Sequence, residues 1–126
     1  MALTHLATIP TFRSFDEAKA REFYVDWLGF KVDWEHRFTP TSPLYMQVSR
    51  AGIVFHISEH HGDGSPGAHV RVQIKGVREL HAELSAKNYK NNKPGLERPE
   101  WGGTEFTVID PVNNRITFGE DDDQAT

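Results

Sequence analysis

The spacing of hydrophobic and polar positions in the first third of the chain predicts a strand followed by a helix. An apolar run over residues 6–12 predicts the strand, and Pro10 favours an edge position because proline cannot donate to a ladder. Apolar residues then recur at helical spacing from 16 to 27. Ser14 and Glu17, at the start of this stretch, have the spacing of a capping box.

Three short strand-like runs follow the helix, which Gly29 is placed to end. They cover residues 30–38, 44–49 and 53–58, and turn-forming residues separate them. The next segment, 59–67, is rich in glycine and histidine and is interpreted as a linker or functional loop. The first half of the chain is therefore predicted to have the order β-α-β-β-β.

The same order of elements restarts after this loop. Alternation over residues 68–74 predicts a strand, helical spacing over 77–87 predicts a helix, and two strands follow at 105–110 and 115–119. This second half is one strand short. We expect the missing strand in the long polar segment before the last two, around residues 90–93.

The two halves thus predict a structural repeat within one domain that covers residues 1–126. The fold class is α+β, with two βαβββ modules at about 1–60 and 68–120 and mainly antiparallel sheets, because the later strands follow one another through short turns. The acidic tail, 121–126, is interpreted as solvated chain. Its alternative role is to add negative potential near a site for a cationic ligand.

Composition narrows the classes of protein that fit this pattern. The chain has 126 residues with 37% hydrophobic positions, and a chain this short gains stability by burying a face against a copy of itself. The formal net charge of −4 argues against a nucleic-acid partner, since phosphate binding requires a basic surface. There is no cysteine, which excludes disulfides and thiolate chemistry.

No apolar run approaches the ~20 residues that span a bilayer, and no export signal is seen near the start. We therefore expect a cytoplasmic protein without a membrane partner. Nucleophilic catalysis is not indicated either, because the sequence has no Gly-x-Ser-x-Gly motif. A phosphate-binding loop of the Walker type is also missing.

Seven histidines are the first candidates for chemistry. His56 lies within a predicted strand and His69 opens the next one, so both side chains could face one cavity and bind a metal through imidazole. Glu59, His60, His61 and Asp63 add potential ligands in the loop between them, although a hydrophilic turn is the favoured interpretation of His60, His61 and Asp63. Core or surface histidines without a ligand role are the alternative for the pair.

The aromatic residues fall into two groups. Central positions of apolar runs are typical of a core, and they hold Phe23, Phe30, Phe55, Phe106 and Phe118. Irregular or edge-like segments hold Trp34, Phe38, Tyr45 and Trp101. Exposed flat rings can stack on a planar heteroaromatic ligand at a small cost in side-chain entropy. Simple packing is the alternative for each of them.

Four segments together resemble one family. Residues 10–16 (PTFRSFD) and 22–30 (EFYVDWLGF) are similar to the opening of the vicinal oxygen chelate, or glyoxalase-like, superfamily. Residues 99–106 (PEWGGTEF) and 110–114 (DPVNN) resemble its ending in the bleomycin-resistance proteins. The resemblance implies two βαβββ modules whose curved sheets surround a cleft. It also implies a homodimer with exchanged N-terminal strands, in which grooves between the subunits bind the drug without modifying it.

The resemblance also locates the metal ligands of the superfamily's enzymes. They correspond to about Ala7, His56, His69 and Thr117, of which only the two histidines can bind a metal, although His5 lies two residues before Ala7. Two imidazoles hold a metal poorly compared with three or four protein ligands. This departure favours the binding branch, without cofactor or metal. The alternative is a metal-dependent lyase, dioxygenase or antibiotic-modifying transferase that uses His56 and His69, with His5 as a further ligand.

The drug-contacting positions of the resistance proteins match Asp33, Trp34, Phe38, Ser58, Trp101 and Gly103. Bleomycin has a flat bithiazole tail and a cationic terminus, so Trp34 and Trp101 could stack on its rings. Asp33 could attract the cation. The sequence thus predicts an antibiotic-binding protein that sequesters bleomycin-type glycopeptides. Basic residues before Trp101 (Lys87, Lys90, Lys93 and Arg98) leave another ligand open.

Overall fold

The computed structural model of the protein describes residues 2–122. Two α-helices and seven strands follow one another, with a π-helical segment that continues the first helix. In chain order the elements are β1 (Thr11–Arg13), α1 (Glu17–Arg21), the π-helical segment (Glu22–Trp27), β2 (Lys31–His36), β3 (Tyr45–Arg50), β4 (Ile53–Ser58), β5 (His69–Gln73), α2 (Val77–Ala86), β6 (Thr104–Ile109) and β7 (Arg115–Glu120).

The strands form two mixed sheets with the same internal order. The first sheet runs β1-β4-β3-β2 and the second runs β5-β7-β6. In each sheet the first strand is parallel to the last strand of its module, and the other neighbours are antiparallel. The predicted α+β class and the repeat of element order are therefore confirmed. The second sheet is one strand narrower than the first.

One hydrophobic core joins the two modules. Phe30 stacks on Phe55 with ring centroids 5.3 Å apart, and Phe106 contacts Phe118 at 5.4 Å. These four rings and Phe23 are buried, which confirms the core positions predicted from the apolar runs. The described helices are too short and too polar to cross a membrane.

Buried hydrogen bonds connect the modules beside this core. The Tyr24 hydroxyl donates to Asp110 Oδ2 at 2.7 Å, and Trp27 Nε1 donates to the Leu84 carbonyl at 3.2 Å. Asp110 also accepts from the side-chain amide of Asn114 at 2.8 Å. Because a buried polar group is costly when unpaired, these contacts fix how the first helix sits on the second module.

The first strand is shorter than predicted, and residues 6–9 of the predicted strand are not part of it. The ladder to β4 begins with the Pro10 carbonyl, which accepts from His56 N–H at 2.9 Å. The preceding residues, 2–10, form an arm without helix or strand, in which Leu3 and Leu6 are 97% and 91% exposed. Apolar alternation alone does not make a strand where no neighbouring strand is available for pairing.

The predicted capping box at the first helix is wrong. Asp16 is the N-cap, and its Oδ1 accepts from Lys19 N–H at 3.0 Å. Ser14 instead continues the sheet, since its N–H donates to the Ser58 carbonyl at 2.8 Å. The helix itself and its end at Gly29, where φ is +79°, agree with the prediction.

The missing fourth strand of the second module is not formed by residues 90–93, so that prediction is also wrong. A single bridge joins Glu97 to Glu105 instead. At the far end of β6 the Asn92 side chain pairs with the backbone of Ile109, accepting from its N–H at 2.9 Å and donating to its carbonyl at 2.6 Å. Pro94 interrupts the segment because it cannot donate to a ladder.

The acidic tail falls only partly within the described residues. Asp121 accepts from the Gln73 side chain at 3.0 Å, and Asp122 forms an ion pair with Arg98 at 2.7 Å. Both contacts tie the start of the tail to the second module. Residues 123–126 lie outside the described part of the chain.

Candidate ligand-binding surface

A β-bulge in β2 arranges the first candidate residues. Val32 pairs with Val48, and the next paired residue, Trp34, lies opposite Gln47, so Asp33 is the extra residue. Successive residues of a regular strand point to opposite faces, whereas a bulge places two of them on the same face. Asp33 and Trp34 therefore both project from the outer face of the first sheet, which is the face turned away from the core.

The Asp33 carboxylate is held in place on this face. It accepts from Gln47 Nε2 at 3.1 Å and from Ser49 Oγ at 3.0 Å, and Lys31 lies 3.8 Å away. The hydrogen bonds from Gln47 and Ser49 lower the pKa of Asp33, with Gln47 the larger cause. The surface thus carries a fixed negative charge at neutral pH.

The Trp34 indole is a fixed, half-exposed ring beside that charge. It stacks on Tyr45 with a centroid distance of 5.9 Å and an interplanar angle of 9°, and it meets His56 edge to face at 5.3 Å. The ring is supported on its inner side and remains 42% exposed. Such an arrangement leaves an aromatic face available for stacking.

His56 is the centre of a hydrogen-bonded chain beneath Trp34. Its Nε2 lies 3.0 Å from Gln47 Oε1, and its Nδ1 lies 2.7 Å from the Tyr45 hydroxyl. Because the Asp33 carboxylate only accepts, Gln47 Nε2 donates to it, and Oε1 is left to accept from His56 Nε2–H. Nδ1 then accepts from the Tyr45 hydroxyl. Burial lowers the pKa of His56, which agrees with this neutral tautomer.

Further rings extend this surface toward the β2–β3 loop. Phe38 is 76% exposed and meets His36 edge to face at 4.6 Å and His60 at 5.8 Å. His60 also lies 6.3 Å from Tyr45. We call this set of side chains (Asp33, Trp34, His36, Phe38, Tyr45, His56 and His60) the aromatic surface.

Ser58 lies beneath the aromatic surface. It is fully buried, and its hydroxyl donates to Asp63 Oδ2 at 2.8 Å and accepts from His60 N–H at 3.1 Å. These bonds close the turn that carries His60. In this chain Ser58 therefore positions the loop and does not itself offer a contact to a ligand.

The second sheet presents a more polar outer face. Trp101 is 76% exposed, and the Arg71 guanidinium lies 5.9 Å from its ring and 2.7 Å from Glu105. His69 Nε2 lies 2.9 Å from the Thr117 hydroxyl, which contacts the Thr107 hydroxyl at 2.7 Å. This face therefore combines one indole with a paired cation and a row of hydroxyl groups.

Gly103 has a structural role in the turn after Trp101, where its backbone conformation requires glycine. Its φ is +84°, and a Cβ there would lie 2.8 Å from the Glu120 carbonyl oxygen. Its N–H donates to Asp122 Oδ2 at 3.1 Å. Only glycine fits this position without displacing β7, so Gly103 sets where Trp101 is held.

The structure divides the predicted site residues between two surfaces. Asp33, Trp34 and Phe38 share the aromatic surface, while Trp101 lies in the turn before β6, beside Arg71 of the second sheet. Among residues 2–122, no hydrogen bond or aromatic ring contact joins the two surfaces.

The residues of the predicted metal site do not fit a metal in this chain. His56 uses both ring nitrogens, His69 Nε2 contacts Thr117, and His5 Nε2 contacts the Thr8 hydroxyl at 2.8 Å. Within the described range, no three His, Asp, Glu or Cys side chains are grouped to hold an ion.

Sequence reasoning missed three residues of these surfaces. Gln47 and Ser49 hold Asp33, and Arg71 supports Trp101. The alternation of β3 gave a usable signal, because Tyr45, Gln47 and Ser49 are two residues apart and share one face. Nothing in the local sequence indicates that Arg71 and Trp101 meet, since 30 positions separate them.

Solved structures with the same fold include antibiotic-binding proteins. The bleomycin-binding protein of Streptomyces verticillus, complexed with copper(II)-bleomycin, is 25% identical over 93% of this chain and 97% of its own, with a TM-score of 0.67. The bleomycin resistance determinant encoded on the transposon Tn5 is 17% identical over 94% and 99%, with a TM-score of 0.73. TnmS3, an antibiotic binding protein from Streptomyces sp. CB03234, is 18% identical over 96% and 98%, with a TM-score of 0.69.

These structures show that the chain has the same α+β fold as the bleomycin-binding proteins. No curated protein sequence matches the chain. A family model described as glyoxalase superfamily protein matches residues 2–125, and the chain belongs to this superfamily. The resemblance predicted from the sequence is thereby confirmed.

Proposed function

We propose that this protein binds an antibiotic of the bleomycin type and sequesters it without chemical modification. The observation that carries the proposal is the bulge in β2, which presents Asp33 and Trp34 side by side on one face. The carboxylate suits a cationic group, and the supported indole suits a flat heteroaromatic ring. The neighbouring bleomycin-binding proteins support the same ligand class.

The polarity of the aromatic surface fits a ligand that donates hydrogen bonds. The Asp33 carboxylate can only accept hydrogen bonds. The Tyr45 hydroxyl donates its proton to His56, so toward a ligand its oxygen can only accept. Amides and protonated amines satisfy both groups.

We further propose that the binding unit is a homodimer. Within the described part of the chain, the aromatic surface with Trp34 does not contact the second-sheet surface with Trp101. The arm at residues 2–10 leaves Leu3 and Leu6 exposed to solvent. Packing the arm on a second copy buries these side chains. A groove between subunits then brings Trp34 of one chain near the second-sheet surface of the other.

Calorimetric titration with metal-free and copper-bound bleomycin tests the proposal, after the metal content of the protein is measured. We expect one drug per subunit, and we expect Trp34→Ala with Trp101→Ala to weaken binding at least ~10-fold, because each exposed ring supplies stacking area. Phe15→Ala is the matched control, since Phe15 is exposed outside both surfaces. Unchanged affinity of the double variant overturns the proposed site.

The charged part of the surface is tested separately. Asp33→Asn removes the fixed charge, and we expect a loss of about 3- to 10-fold that diminishes as salt is added. Asp26→Asn, on the exposed face of the π-helical segment, controls for net charge. Equal losses in both variants would mean that only the overall charge of the protein matters.

A further inference from the structure

The free edge of β6 has a gap in its hydrogen bonding, and this gap lies outside the aromatic surface. Glu105 N–H and C=O both bond to Glu97, at 2.9 and 2.7 Å, and the Asn92 side chain bonds to both backbone groups of Ile109. In an antiparallel pair, alternate residues direct their backbone groups to the same side. Thr107 lies midway between Glu105 and Ile109, so its N–H and C=O point to this edge too.

Pro94 lies beside the gap. The register of the Glu97–Glu105 bridge would place Gly95 opposite Thr107, and the preceding Pro94 has no N–H with which to continue a ladder. The Pro94 carbonyl is turned away and accepts from His81 Nε2 at 2.8 Å. Within residues 2–122, the backbone N–H and C=O of Thr107 have no protein partner.

A cavity of about 510 Å³ opens at this gap. Thr107, Pro94, Tyr89 and Ile109 contribute to its wall, and the ammonium-bearing side chains of Lys19 and Lys93 line it as well. Cavities of this size accommodate small molecules. The free edge of Thr107 is therefore part of a recess and not of a flat surface.

The charge of the recess favours an anion. Asp110 is the one carboxylate among the lining residues. Its oxygens already accept from the Tyr24 hydroxyl, the Asn114 side chain and two backbone N–H groups. Among the described residues, neither lysine forms an ion pair with a carboxylate. Lys93 Nζ donates to the neutral side-chain oxygen of Asn88 at 3.0 Å.

The geometry of the gap limits the occupant to one amide. Asn92 closes the edge on one side and Glu97 on the other, so a passing strand has no room to pair beyond Thr107. A single amide can donate to the Thr107 carbonyl and accept from its N–H, and a carboxylate on the same molecule would be attracted by the two lysines of the lining. We propose that the recess at Thr107 is a binding site for a small N-acyl amino acid, independent of the antibiotic surface.

Backbone recognition at Thr107 can be tested with hippurate (N-benzoylglycine) as the probe. Thr107→Pro removes the N–H, and proline is tolerated at an edge position whose N–H is outside the ladder. Thr107→Val is the matched control, because it keeps the N–H and the β-branched shape. We expect hippurate to bind at millimolar concentration or below, with an affinity ~10-fold lower in Thr107→Pro than in Thr107→Val.

Ligand variants keep the test decisive if Thr107→Pro fails to fold. We expect N-methylhippurate, which lacks the amide proton, and hippuramide, which lacks the carboxylate, to bind the wild-type protein ~10-fold more weakly than hippurate. Lys93→Gln should lower hippurate affinity by a few-fold, and Lys90→Gln, outside this recess, should not.

The outcomes separate this proposal from the antibiotic site. Hippurate binding that persists with saturating bleomycin, and that shifts the Thr107 amide resonance, supports the recess. Displacement of hippurate by bleomycin, equal affinity for the N-methyl analogue, or no binding at ~10 mM hippurate overturns it. Failure of bleomycin to bind does not change the expected result with hippurate.

Discussion

The two sheets of this protein share a strand order, yet they differ at their outer edges. In the first sheet β2 completes the edge, and an extra residue at Asp33 turns two adjacent side chains to the same face. In the second sheet the corresponding segment meets β6 only through the Glu97 bridge and the Asn92 side chain. The comparison shows that one inserted residue or one proline can give two similar modules different surfaces.

The consequence is a division of roles between the modules. The first sheet offers rings and a fixed carboxylate, whereas the second offers an indole, a paired guanidinium and an open backbone edge. The core-facing residues of both sheets nevertheless form one cluster. Differences in function therefore arise at edges and outer faces, where packing constrains the sequence least.

The largest expected effect on stability comes from alanine substitutions in the shared core, one in each sheet. Phe55 in β4 and Phe118 in β7 are both buried. Replacing either with alanine should lower the free energy of unfolding by about 3–5 kcal/mol, since each leaves a cavity in the same core. Urea denaturation followed by fluorescence and by circular dichroism measures this. Two separate transitions, one per module, would contradict a single folding unit.

The next effect concerns the bond that joins the modules. Tyr24→Phe removes the hydroxyl that donates to Asp110, and we expect a loss of about 1–2 kcal/mol in the free energy of unfolding. Tyr45→Phe is the matched control, because its hydroxyl lies at the partly exposed aromatic surface. A larger loss in the control than in Tyr24→Phe would contradict a joining role for Tyr24.

The same residue predicts a pH dependence. Burial, and secondly the charge of Asp110, raises the pKa of Tyr24 well above its ordinary value of 10.0. A raised pKa means that its stabilising contribution is complete below pH 10 and is lost as the pH rises further. The difference between wild type and Tyr24→Phe should therefore shrink above pH 10 in urea titrations.

A smaller effect tests the unfinished edge of the second sheet. Asn92→Ala removes both hydrogen bonds to the backbone of Ile109 and should cost about 1–2 kcal/mol. Asn91→Ala is the control, because Asn91 is exposed and lies one residue earlier. Amide exchange at Ile109 should accelerate in Asn92→Ala alone. Equal exchange in both variants would show that the side chain does not replace the missing strand.

The smallest effect concerns an ion pair of the first module. Hydrogen bonding from Arg37 lowers the pKa of Glu17, with Arg21 contributing as well, while partial burial opposes the shift. The stabilisation is therefore present above the ordinary value near 4.5 and is lost as the pH falls through the lowered pKa. Glu17→Gln should cost only ~0.5 kcal/mol at pH 7, because the pair is partly exposed. This loss of stability should vanish in acid. Glu100→Gln, at an exposed position, is the control and should cause no loss at either pH.

The sequence predicted the parts of this fold that follow from periodic patterns. Helical spacing located both helices, and the apolar runs identified Phe55, Phe106 and Phe118 as core residues. Such patterns are reliable because the burial of one face depends only on the period of the element. The family motifs likewise identified the superfamily, since they extend through nearly the whole chain.

Single-residue geometry was less accessible to sequence reasoning. Asp33 was predicted as a site residue by resemblance, but its bulge was not, because broken alternation does not tell which residue is extra. Ser14 matched a capping pattern, yet its N–H is taken by the Ser58 carbonyl of a strand 44 residues away. The open edge at Thr107 depends on Pro94 and His81, which meet only after folding.

The sequence by itself determined the class of fold, the core and the aromatic residues available for a ligand. The tertiary structure decided which of those residues share a surface, why His56 has no free nitrogen for a metal, and where a sheet edge stays open. The physical reason is that hydrophobic burial is encoded locally by periodicity, whereas each hydrogen bond needs a partner that distant chain segments supply.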